Sequence, residues 1–166
     1  SCRSPAAMVK VSEPPAFSSN DSALGFKLHN YEAGLWQVAR GDECRRSAAE
    51  RFIQGASFSG DGCLLAAADA AGVGFWDVAQ NRFLGRLQTG PSLSALFHPK
   101  GTSLFVSGKA GLQRWPIDFD RQTGQVKAGP PEMLWSSELM FASLSLNCDT
   151  LVAAMTPRPE VVVFSL

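Results

Sequence analysis

Three tryptophans set the period of this chain. Trp36, Trp76 and Trp115 stand 40 and 39 residues apart, and a fourth aromatic, Phe164, follows 49 residues later. Each closes a unit opened by a large apolar residue, Phe17, Phe58, Phe97 or Leu144, at offsets of 19, 18, 18 and 20. Seven residues after each opener stands a leucine: Leu24, Leu65, Leu104 and Leu151. Self-similarity at a fixed period of about 40 residues marks a repeat architecture, a stronger constraint than any single element.

Between opener and leucine lies turn chemistry: Ser18-Ser19-Asn20-Asp21, Ser59-Gly60-Asp61-Gly62, His98-Pro99-Lys100-Gly101 and Ser145-Leu146-Asn147-Cys148. Gly, Pro, Asn and Asp end one strand there and begin the next. Short apolar runs follow, such as Ala66-Ala67-Ala68 and Phe105-Val106-Ser107, then second turns at 30–34, 69–72, 109–111 and 156–159. The aromatic segments come next, for example Gly74-Phe75-Trp76-Asp77-Val78 and Val161-Val162-Val163-Phe164. These runs carry no 3.6-residue helical period. A further run, Phe83 to Leu87 or Met133 to Trp135, makes four strands per unit. The expected fold class is all-β.

The stretch Ala56-Ser57-Phe58-Ser59-Gly60-Asp61-Gly62 through Phe75-Trp76-Asp77-Val78 resembles a WD repeat, and Ala95 to Gly101 through Arg114-Trp115-Pro116-Ile117 resembles a second copy. The first and fourth units are weaker, with Trp36-Gln37 and Phe164-Ser165 in the Trp-Asp positions. The resemblance, from about residue 16 to the end, implies a β-propeller of about four four-stranded antiparallel blades, an incomplete arc of a larger propeller. Its boundaries are 16–54, 55–92, 93–138 with an insertion at 118–131, and an unfinished blade at 139–166. Residues 1–15 are expected to supply the outer strand of a preceding blade, or a closing strand through Met8-Val9-Lys10-Val11.

Stacked blades bury the apolar faces that one blade alone cannot hide. On that reading Trp36, Trp76, Trp115 and Phe164 are structural aromatics. Ser107 and Asp69 stand where the family's hydrogen-bonding Ser and Asp would be, Lys109 replaces that Asp in the third copy, and the family's Gly-His is missing. Arg114-Trp115-Pro116-Ile117 followed by Gly129-Pro130-Pro131 is also similar to divergent repeats in bacterial proteins with a serine/threonine kinase domain upstream.

Charge favours no particular partner: fifteen basic residues balance fifteen acidic ones. Such a chain lacks the positive field that drives phosphate-backbone binding, so nucleic acid is not an expected partner. The longest apolar runs, Leu64 to Ala68 and Val161 to Phe164, are far short of the roughly 20 residues of a membrane helix. No secretory signal is visible at the start, which reads as cut from something longer. Cys2, Cys44, Cys63 and Cys148 form no Cys-x-x-Cys and read as free thiols of a reducing, cytoplasmic compartment. The glycosylation tripeptide Asn20-Asp21-Ser22 is a weak contrary sign.

Catalytic chemistry finds little footing. His29 and His98 have no metal-spaced companions, and no Gly-x-Ser-x-Gly elbow or phosphate-cradling glycine loop is present. Asp118 and Asp120, flanking Phe119, read as a solvated loop pair within the insertion, and His98 as a solvated turn residue. No catalytic, cofactor-binding or metal site is assigned, and no cofactor is expected.

The expected function is a non-catalytic protein-protein interaction scaffold. Its partners would be other proteins or peptides, and the remaining blades of a longer chain. The alternative is the sensing or docking region of a bacterial serine/threonine kinase. Loops on a rigid scaffold carry function. The candidate contacts are therefore Arg121 and Lys127 in the insertion, read as a protruding hairpin or loop, and Tyr31, Lys109 and Arg158 in the second turns.

Overall fold

Every repeat signature falls into one transverse row across one sheet. The computed structural model describes residues 52–99, 103–145, 149–155 and 160–166 with their side chains, Phe141 excepted, and the strand backbones 16–17, 23–27, 32–37 and 44–48. Met8 to Val11 lies outside the described residues. The first sheet is β1 (Ala16–Phe17), β2 (Ala23–Lys27), β3 (Glu32–Gln37) and β4 (Cys44–Ala48), in that order. The second is β5 (Gly55–Phe58), β6 (Leu64–Asp69), β7 (Gly72–Asp77) and β8 (Arg82–Leu87).

The third sheet holds β9 (Ser92–Phe97), β10 (Ser103–Gly108) and β11 (Gly111–Asp120), and β11 pairs with both β12 (Gln125–Ala128) and β13 (Glu132–Trp135). The fourth is β14 (Leu139–Leu144), β15 (Thr150–Met155) and β16 (Val161–Ser165). All pairings are antiparallel. No helix occurs among the described residues, and none is long and apolar enough to cross a membrane.

Register explains the spacing. Phe17 pairs with Leu24 and Leu24 with Trp36. Phe58, Leu65 and Trp76 are aligned in the same way, as are Phe97, Leu104 and Trp115. In the fourth sheet the row is Leu144, Leu151 and Phe164. Directly opposed residues of antiparallel strands share a face, so each row is one apolar stripe.

Among the described residues, the rows of the third and fourth sheets each meet the back of the sheet before them. Leu64, Ala66, Ala68, Val73 and Phe75 on the back of the second sheet form one core with Ala95, Phe97, Leu104, Val106 and Ile117 of the third, and Trp115 packs against its margin. Phe105 and Leu112, on the back of the third sheet, meet Leu139, Leu151 and Ala153 of the fourth, with Phe164 at the margin. Phe58, Leu65 and Trp76 build a further cluster with Ile53 and Ala67. Every residue of β6 and β7 is buried.

Hydroxyls bridge the sheets where apolar packing leaves backbone groups to satisfy. Ser57 Oγ accepts from the Phe97 amide at 2.9 Å. Between the third and fourth sheets a relay runs from the Ala142 amide to Ser94 Oγ at 3.3 Å, on to Ser107 Oγ at 2.6 Å, and from there to the Met140 carbonyl at 2.7 Å. A hydroxyl has one proton, and Ser107 gives its own to Met140, so Ser94 donates to Ser107.

Asp69 closes the β6–β7 turn by accepting from the amides of Ala71 and Gly72, and it also pairs with the Arg86 guanidinium on β8. Its near-complete burial suits a carboxylate with three partners. Gly72 and Gly111 end equivalent turns at φ +142° and +102°, and a Cβ there would strike the Leu87 or Trp135 carbonyl of the outer strand. Only glycine meets both demands.

Candidate functional site

The insertion is a lengthened hairpin. Strand β7 ends at Asp77, whose Oδ1 accepts from the Gln80 amide at 2.9 Å, and the turn closes with Asn81 at φ 51°. Strand β11 passes the equivalent position, Pro116, and ends at Asp120. There Asp120 Oδ1 accepts from the Gln122 and Thr123 amides, and Gly124 follows at φ +67°. Asp77 to Asn81 and Asp120 to Gly124 are thus the same side-chain-capped turn, with a left-handed residue four positions after the Asp.

Pro116 sits between the β11 residues that pair with β13 (112–114) and those that pair with β12 (117–120), so its missing N–H breaks neither ladder. Its carbonyl accepts from the Gly129 amide at 2.9 Å.

Three expectations are corrected here. Asp118 and Asp120 lie on β11, paired with Lys127 and Gln125 of β12, and are not a loop pair. The alternating faces of a strand put both on one side, while Phe119 and Val126 turn the other way and pack against the core of the second and third sheets. The insertion is a hairpin, but it is held down. Arg121 Nη2, at its tip, donates to Asp61 Oδ2 at 2.5 Å, reaching the β5–β6 turn of the preceding sheet, and Gly124 lies against the Arg82 guanidinium. His98 is also more enclosed than a solvated turn residue, half-buried with its ring 6.4 Å from that of Phe105.

The tip is a network of charge-assisted bonds. Burial raises the Asp61 pKa, but the Ser59 hydroxyl at 2.6 Å, the Cys63 amide at 3.0 Å and Arg121 outweigh it and hold the carboxyl at about 2. Burial, then the Asp61 charge, pushes the Cys63 thiol up, which makes it a poor nucleophile at neutral pH. The bond to Asp61 raises the Arg121 pKa further. The Thr123 hydroxyl, then the two turn amides, lower that of Asp120. Arg121 keeps 62% of its side chain exposed while bonded, so its direction is set but its surface stays open.

Of the residues named from sequence, the structure brings Arg121 and Lys127 together on this hairpin, both exposed. Lys109 is exposed at the β10–β11 turn, the other end of the ten-residue β11, roughly 30 Å away at strand rise. It belongs to a different surface. Tyr31 and Arg158 lie outside the described residues, as does the side chain of Trp36. Trp76 is buried, while Trp115 and Phe164 are partly buried, Trp115 with Nε1 on Gln113 Oε1 at 3.0 Å and Phe164 edge-on to Trp135. Sequence reasoning missed Asp61 and Arg82 as members of this surface. The repeated Asp-x-x-x-Asn/Gly turn was the available signal for the long hairpin. Among the described residues no three His, Cys, Asp or Glu side chains gather as metal ligands would.

No family model and no curated protein matches the chain. Among solved structures it is similar to a chain of a structure titled "Crystal Structure of Mitotic Checkpoint Complex", with a TM-score of 0.74, 13% identity and 92% of this chain covered. That similarity shows the fold, a β-propeller, and each sheet described above is a blade or part of one. The chain spans about half, 49%, of the solved chain it matches.

Proposed function

We propose that the chain is a non-catalytic WD-repeat scaffold that captures protein partners through the braced β11–β12 hairpin. The observation that carries this reading is the hairpin itself. Propeller blades need only tight turns, yet β11 and β12 extend one of them, and Asp61 of the preceding blade holds its tip. A loop held in one geometry binds without the entropic cost of ordering, which is how a rigid scaffold gains affinity. Exposed Arg121 and Lys127 beside Asp118 and Asp120 make a mixed-charge surface suited to polar protein contacts more than to a phosphate backbone. The matched fold occurs in a chain of a multi-protein complex, which supports a scaffold role here.

The test uses charge reversal, because deleting the hairpin would also strip Phe119 and Val126 from the core. Partners captured by the immobilised chain from its native cell extract are compared with those of Lys127→Glu, which leaves the Arg121 to Asp61 brace intact. Loss of the stoichiometric partner, with the thermal midpoint unchanged, is expected. Undiminished capture by the variant would contradict the reading.

A further inference from the structure

Asp61 is the one Asp or Asn of the chain that precedes a glycine. In an Asp-Gly pair the glycine nitrogen can attack the side-chain Cγ, because no Cβ obstructs the approach and the glycine backbone turns freely. The N–Cγ bond forms as a Cγ–O bond breaks, the amide proton leaves with the carboxyl hydroxyl as water, and a cyclic imide results. Water then opens the imide at either carbonyl. One opening returns aspartate; the other gives isoaspartate, in which the main chain runs through the side-chain carboxyl. In the β5–β6 turn both reacting groups are already engaged. The Gly62 amide donates to the Ser59 carbonyl at 2.8 Å. Asp61 Oδ1 accepts from the Ser59 hydroxyl and the Cys63 amide, and Oδ2 accepts from Arg121. With its pKa held at about 2, the carboxyl is ionised at neutral pH and has no hydroxyl to lose as water.

We propose that Asp61-Gly62 is a latent isomerisation site held unreactive by the docked hairpin of the next blade, and that its conversion to isoaspartate releases the hairpin tip irreversibly. Of the groups bonded to the Asp61 carboxylate, Arg121 alone comes from outside the turn, 60 residues along the chain, so only a docked hairpin supplies it. The Asp61 side chain is 46% exposed, so water reaches the imide once it forms. Isoaspartate inserts a methylene into the main chain between positions 61 and 62 and leaves the carboxylate on a shorter branch. That lengthens the turn closed by Gly62 on Ser59 and withdraws the cap from the Cys63 amide. The carboxylate that Arg121 meets is displaced with it. Docking therefore slows the reaction, and the reaction ends docking. This coupling holds whether or not the hairpin captures partners.

Ageing at neutral pH tests the proposal, with isoaspartate at position 61 read by electron-transfer fragmentation of the tryptic peptide 52–82. The samples are the 166-residue chain, its Arg121→Gln variant, and the unsubstituted chain unfolded in guanidinium chloride. The folded chain should convert slowest, Arg121→Gln several times faster with an unchanged far-ultraviolet circular dichroism spectrum, and the unfolded chain fastest. The comparison of folded with unfolded chain needs no variant. Conversion in the folded chain as fast as in guanidinium chloride, or equal in chain and variant, would overturn the proposal. Release of the tip is tested on a chain assembled by ligation between Gly62 and Cys63 with isoaspartate at 61, against the aspartate chain assembled in the same way. Amides 121–124 should exchange hydrogen faster in the isoaspartate chain while those of 103–108 are unchanged. Equal exchange at 121–124 would overturn the coupling.

Discussion

At the scale of single residues, the groups that hold this molecule together are short polar side chains at turns. Asp61, Asp77 and Asp120 each cap a turn by accepting main-chain N–H groups, and Asp69 does so while almost wholly enclosed. Enclosure makes Asp69 costly to change. Removing one partner of a buried ion pair leaves the other charge uncompensated, a loss of about 3–5 kcal/mol, whereas solvent screens the half-exposed Asp61 to Arg121 pair and its loss costs far less. Asp61 still leaves a pH signature. Its folded pKa of about 2 lies below the roughly 3.9 of an unfolded Asp, so its contribution is fully present above about pH 4 and disappears as pH falls toward 2. Urea unfolding from pH 5 to pH 2 should therefore show a small drop in stability that Asp61→Asn lacks. Identical acid slopes for the two proteins would contradict the assignment.

At the scale of elements, the decisive contacts run between sheets. The relay from Ala142 through Ser94 and Ser107 to Met140 joins the third and fourth blades across sequence separations of 48, 13 and 33 residues. Ser107 is fully buried, so Ser107→Ala takes a donor from the Met140 carbonyl and an acceptor from the buried Ser94 hydroxyl. The expected cost is about 1–3 kcal/mol by urea denaturation, with faster amide exchange at Ala142. A loss under about 0.5 kcal/mol would mean that the relay is not formed.

Elements also mark how far the sequence could be read. Openers, leucines and aromatics at constant offsets already contain the strand register, because equal hairpin lengths place residues 7 and about 19 positions on in one row. The hairpin was visible as an interval of extra length. Its docking was not, since Asp61 and Arg121 are 60 residues apart and nothing local records that their turns meet. The Asp pair was misread because strand and loop are alike in so short a polar stretch; the cap at Asp120 and the glycine at 124 decide it. Arg121 and Lys127 were legible as exposed charge, but their separation from Lys109 follows only from the length of β11.

At the scale of the whole molecule, one stacking rule recurs among the described residues: the rows of the third and fourth blades fill the backs of the blades before them. The rule accounts for the burial of Leu64, Ala66, Ala68, Val73 and Phe75, and for a fold recognisable at 13% identity. Row and back need only be apolar and complementary in volume, which many residue combinations satisfy. The most direct test is nuclear Overhauser spectroscopy with selectively labelled phenylalanine. Phe75, on the back of the second blade, and Phe97, in the row of the third, have ring centroids 6.4 Å apart although 22 residues separate them. Cross-peaks between the two rings are predicted. Their absence, with both rings instead contacting only residues of their own sheets, would contradict the stacked-blade account.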